Sequence, residues 1–93
     1  MSDDRQWTFL SNHGHVLVQV SRNPDARIRD IAEAVGITER RAHMILGDLE
    51  AAGYITITRQ GRRSHYRVHR NQKFRHPAES AKQIGALLGI FDR

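Results

Sequence analysis

Cysteine is missing from this 93-residue chain, so neither disulfides nor thiolate metal sites can supplement its core. Long apolar runs are missing too: none approaches the roughly 20 residues that a membrane span needs. Met1-Ser2-Asp3-Asp4 is acidic and leads into no apolar segment, unlike a secretory signal. The length fits one domain near the small end of what folds alone. These features together predict a soluble, cytoplasmic protein with no membrane partner. Aromatic residues are few and form no run on which successive bases would stack, which argues against an RNA-binding module.

Acidic residues are absent from one stretch, "TRQGRRSHYRVHRNQKFRH", Thr58 to His76. Seven cations lie in it: Arg59, Arg62, Arg63, Arg67, Arg70, Lys73 and Arg75. The formal charge is +5, and the rest of the chain holds eight basic residues against all ten acids. The whole excess therefore sits in one segment, which is the footprint expected for a polyanion partner, nucleic acid first and anionic membrane second. Arginine outnumbers lysine 13 to 2. That bias favours forked contacts with phosphate or guanine over simple charge.

The chain divides by periodicity. Residues 1–6 are polar and are expected to fray. Trp7, Phe9 and Leu10 form a short apolar cluster before Ser11, a helix N-cap candidate. Val16, Leu17 and Val20 then share one helical face, with Val18 extra, until Pro24 disfavours helical geometry at Asn23. Ile28, Ile31, Ala32 and Val35 repeat at helical spacing up to Gly36, a C-cap. Thr38 is positioned to cap a further helix, Glu39 to Ala52, whose stripe is Ala42, Ile45, Leu46 and Leu49. Two helices joined through Gly36-Ile37-Thr38 make a helix-turn-helix.

After Gly53 the period falls to two. Ile55 and Ile57 alternate with Thr56 and Thr58, a turn follows at Gln60-Gly61-Arg62, and Tyr66 and Val68 alternate with Arg63, His65, Arg67 and His69. This predicts a hairpin with an apolar inside and a cationic outside. Residues 71–76 read as a basic connector. Pro77 suits the first turn of a last helix over 77–93, with Ala81, Ile84, Leu87, Leu88 and Phe91 as its stripe. Such a stripe either closes the monomer core or meets a partner's helix. The expected architecture is mainly α with one small antiparallel β-hairpin.

This order of elements resembles the winged helix-turn-helix of the ArsR and MarR families of prokaryotic transcription regulators. The residues that carry the likeness are "IRDIAEAVGITERRAHMILGDLEAAGYITITRQGRRSHYRV", Ile28 to Val68. With the helix before it, the winged domain would span 7–70. The resemblance implies sequence-specific binding of double-stranded DNA, with the second helix of the turn in the major groove. The residues then facing base edges are Thr38, Glu39, Arg40, Arg41, His43 and Met44, with Arg40 and Arg41 the best readers of guanine. Arg27, on a short strand between the first two helices, and Arg59, Gln60, Arg62, Arg63 and Arg67 on the wing would hold the backbone. The terminal stripe Ala81, Ile84, Leu87, Leu88 and Phe91 and the small monomer core lead to the expectation of a homodimer, joined through the last helix, the first helix or both. Two departures stand out: Arg29 occupies the start of the second helix where Ser or Thr is usual, and Gly47 interrupts the recognition helix. The thiol metal motif of metal-sensing ArsR proteins is absent, and no effector is indicated.

Other chemistries find less support. His65 and His69 share a strand face but stand roughly 13 Å apart at about 3.3 Å per residue, too far to chelate one ion. His13 and His15 point in different directions on a helix. Nucleophile signatures, phosphate-binding glycine loops and paired carboxylates are missing, so no enzyme and no cofactor are expected. The alternative from another class is a winged-helix module that binds protein without specific DNA recognition.

Overall fold

The structure is a computed structural model that describes residues 7–92. The expectation of a frayed segment 1–6 lies outside the described residues. Six elements follow one another: helices α1 (Asn12–Arg22), α2 (Ile28–Val35) and α3 (Glu39–Ala51), strands β1 (Ile55–Gln60) and β2 (Arg63–Val68), and helix α4 (Ile84–Phe91). The order is that of a winged helix-turn-helix, mainly α with one antiparallel hairpin.

Local chemistry explains the boundaries. Ser11 Oγ accepts from the Gly14 N–H at 3.2 Å and starts α1. Thr38 Oγ1 does the same for Arg41 N–H at 3.0 Å and starts α3. Between them α2 ends at Gly36, whose φ of 86° is left-handed, so that the Gly36 and Ile37 amides both return to the Ala32 carbonyl. Three residues, Gly36 to Thr38, join α2 to α3, and the two helices pack against each other.

The three helices bury one stripe each. Val16, Leu17, Val18 and Val20 of α1 meet Ile31 and Ala32 of α2 and Ala42, Ile45, Leu46 and Leu49 of α3. Val18, extra to the expected face, is buried with the others. The hairpin pairs Ile55 with Val68 and Ile57 with Tyr66, which puts these four on the face turned to the core. Its turn is tighter than expected: Gln60 still pairs with Arg63, leaving Gly61 and Arg62 as the two-residue loop. Gly61 has φ 63°, the left-handed conformation that such a loop requires.

Three expectations are corrected. The short strand at Arg27 does not form, and a single backbone bond, Tyr66 N–H to Pro24 carbonyl at 2.8 Å, links that region to the hairpin. The apolar cluster before α1 is only partly packed, because Leu10 touches the core while Trp7 and Phe9 are 75% and 93% exposed, edge-to-face with one another. The last helix is half the expected length. Residues 77–82 form turns, and Ala81 lies outside the helix, exposed.

The connector and α4 close on each other. Phe74 N–H donates to the Lys82 carbonyl, Ile84 N–H to the Gln72 carbonyl and Gly85 N–H to the Arg70 carbonyl. The Tyr54 hydroxyl donates to the Lys73 carbonyl, so the connector 71–76 is anchored to the body of the domain. These bonds consume the first donors of α4 and set where it begins. Ile84 and Leu88 then pack into the monomer core beside α1. Among the described residues no charged or polar side chain is buried, so the uneven charge of the sequence is all displayed at the surface.

Candidate nucleic-acid interface

The outer side of α3 follows directly from its inner side. With Ala42, Ile45, Leu46 and Leu49 buried, 100° per residue turns Arg40 and Met44 outward, flanked by Arg41 and His43. Thr38, Glu39, Arg40, Arg41, His43 and Met44 are all exposed, Met44 by 52%. Among the described residues neither Arg40 nor Arg41 makes an ion pair. Asp48, about two turns further along, is held by His13 of α1, Nε2 to Oδ2 at 2.8 Å. Both guanidiniums are thus available to an external acceptor.

A cleft of about 880 Å³ separates α3 from the hairpin, and the start of α2 closes one end. Five arginines line it: Arg27 and Arg29 from the start of α2, and Arg59, Arg62 and Arg63 from the hairpin. Glu39, His43 and Glu50 supply the α3 wall. Arg59 is there because it continues the inner face of β1 beyond Ile57, opposite Ser64, where the apolar core has ended. No side chain caps α2, unlike α1 and α3, and Asp30 in its first turn faces the positive end of that helix.

The sequence-predicted backbone set is only partly assembled here. Arg27, Arg59, Arg62 and Arg63 surround the cleft, whereas Arg67 pairs with Thr56 on the far face of the hairpin and Gln60 lies outside the cleft lining. Arg63 also reaches away from the tip, its Nη2 donating to the Asp25 carbonyl at 2.7 Å. Arg29 was expected only as an oddity of the α2 start. The structure puts Arg27 at the cap and Arg29 in the first turn, side by side on the cleft. The signal was present in the sequence: Ile28 packs inward between them, which leaves both flanking arginines outside.

Five of the six histidines have separate partners among the described residues, His13 with Asp48 and His76 with the Ala78 amide among them. His65 Nδ1 meets Asp25 Oδ1 at 2.7 Å and His69 Nε2 meets Thr56 Oγ1 at 2.6 Å, while His15 Nε2 lies 3.2 Å from Thr8 Oγ1. Among the described residues no group of three or more potential ligands converges on a metal position.

The stripe assigned to dimerisation splits. Ile84 and Leu88 face inward at 6% and 0% exposure, Leu87 is half-buried, and Phe91 remains 37% exposed. Ile90, which the helical stripe did not include, is the more exposed residue at 72%. A shorter helix with its inner side taken by the core leaves Ile90 and Phe91 as its outward apolar surface. Among the described residues no helix is long and apolar enough to cross a membrane.

No curated protein matches the chain. A model of the MarR family does match, over residues 8–64, from before α1 into β2. Regulators of that family bind DNA to control transcription and are not enzymes. Of the two families the sequence resembles, this match covers more than half the chain, from α1 to the start of β2, and the chain belongs to the MarR family.

Proposed function

We propose that the protein binds double-stranded DNA sequence-specifically as a homodimeric regulator, with α3 in the major groove and the wing on the backbone. The observation that carries this reading is the pair of exposed arginines on α3, Arg40 and Arg41, next to a cleft lined by five more. Guanidinium forks match guanine O6 and N7, so Arg40 and Arg41 read bases, with Thr38, Glu39, His43 and Met44 around them. Arg27, Arg29, Arg59, Arg62 and Arg63 neutralise phosphates of the strand that passes between α3 and the wing. Gln60 and Arg67 are peripheral contacts at most. An apolar recognition face would have favoured a protein partner; the one here is cationic. Acting on DNA, the protein works in the cytoplasm.

Two protomers joined near Ile90 and Phe91 would meet two half-sites about one helical turn, roughly 10 base pairs, apart. Sedimentation at micromolar concentration is expected to show a dimer that Ile90→Ser with Phe91→Ser dissociates; a monomeric wild type removes the twofold site. The decisive experiment for binding is selection of sequences from a random duplex pool at stated salt. Enrichment of a motif supports the reading. Binding no stronger than to random duplex overturns it and leaves a protein-interaction module.

A further inference from the structure

The second strand of the wing is tied at three points to the turn between α1 and α2. Tyr66 N–H donates to the Pro24 carbonyl at 2.8 Å, Arg63 Nη2 to the Asp25 carbonyl at 2.7 Å, and His65 Nδ1 lies 2.7 Å from Asp25 Oδ1. A carboxylate only accepts, so Nδ1 carries the proton of that last bond. On the other strand the corresponding support is weaker, since Ile57 N–H reaches Glu50 Oε2 at 3.4 Å. Beyond Ile57 and Tyr66 the hairpin has no buried apolar side chain to hold it. A two-stranded ribbon is marginal on its own. The outer half of the wing therefore depends on what grips Arg63 and His65.

We propose that Asp25 is a positioning residue that sets the wing against the recognition helix without touching DNA. Its carbonyl orients Arg63 and its carboxylate orients His65, and through β2 they hold Arg59 and Arg62 at a defined distance from Arg40 and Arg41. This rests on the DNA-binding reading above for its consequence, though the brace itself is a property of the free protein.

Charge and positioning predict opposite signs at this residue. The Asp25 side chain is 67% exposed beside a cationic cleft, so as a mere charge it repels a polyanion and its removal tightens binding. As a brace, its removal loosens the wing and weakens binding. Asp25→Ala is expected to bind its selected duplex about three- to tenfold more weakly, the worth of one net hydrogen bond. Asp25→Asn loses the charge but keeps an Oδ1 acceptor, and is expected to bind at least as tightly as wild type. His65→Ala should match Asp25→Ala, and the double variant should be no weaker than either alone. The salt dependence should stay at the wild-type slope in all three, since no phosphate contact is lost. Tighter binding by Asp25→Ala, or equal behaviour of the Ala and Asn variants, overturns the proposal.

Amide hydrogen exchange on the free protein reads the same brace without DNA. The Tyr66 amide, which donates to Pro24, is expected to lose protection in Asp25→Ala and His65→Ala and keep it in Asp25→Asn, while the α3 amides are unchanged in all three. Unchanged Tyr66 protection in Asp25→Ala overturns the brace. Failure to select any duplex would remove the DNA-binding reading alone, with the exchange result still deciding the role of Asp25 in the wing.

Discussion

Helices α3 and α4 rest on the same core and turn opposite chemistry outward. The first buries Ala42, Ile45, Leu46 and Leu49 and shows Arg40, Arg41 and His43 to solvent. The second, "IGALLGIF", carries no charge at all, buries Ile84 and Leu88, and shows Ile90 and Phe91. Their inner sides are interchangeable in kind, because any apolar stripe of the right width packs. What remains outside separates them: an array of fixed cations suits a polyanion, and a small apolar patch suits another folded chain. A helix can therefore build the core and present a distinct chemistry to solvent at once, because the two use different arcs of its surface.

The largest expected effect tests whether α4 belongs to the monomer core as α3 does. Leu88 and Ile45 are both fully buried, so Leu88→Ala and Ile45→Ala are each expected to cost about 2–5 kcal/mol in denaturant unfolding. A near-neutral Leu88→Ala would detach α4 from the core and break the parallel.

Next in size is the outer arc of α3. Arg41→Ala or Arg40→Ala should cost about 1–3 kcal/mol of discrimination at one base pair while leaving random-duplex binding closer to wild type. Arg62→Ala on the wing should instead weaken binding to all sequences and shallow the salt dependence by about one unit. Identical behaviour of the three variants on selected and random duplexes would erase the division between reader and clamp.

The smallest effect concerns Gly47, on the outward arc between Met44 and Ala51. A Cβ there meets nothing within 4 Å, and a glycine inside an exposed helix costs about 0.5–1 kcal/mol relative to alanine. Gly47→Ala should raise stability by that amount in thermal unfolding. If it also weakens DNA binding, the outward arc of α3 is in contact along more of its length than its first two turns.

Much of the geometry of the candidate interface was legible because its causes are local. The face of α3 that meets solvent follows from the four apolar residues opposite, and the caps at Ser11, Thr38 and Gly36 act within one turn of themselves. The outward position of Arg29 was equally legible, since it depends only on Ile28 packing inward. Asp25 was not legible. Nothing near it in sequence announces a carboxylate that serves a histidine 40 residues later. The same holds for His13 and Asp48, 35 residues apart, whose pairing ties α1 to α3.

The amino-acid sequence by itself determined the helix-turn-helix, the hairpin and the charged side of α3, because periodicity, capping and turn chemistry operate over one or two turns of chain. Tertiary structure alone decided the length of α4. Its first donors go to the Gln72 and Arg70 carbonyls, so the helix starts at Ile84 although Pro77 would have allowed an earlier start. It also decided which arginines share a cleft: Arg27 and Arg29 come from one end of the winged unit and Arg59, Arg62 and Arg63 from the other. Only the packing of α1, α2 and α3 beneath them brings those two groups to the same opening.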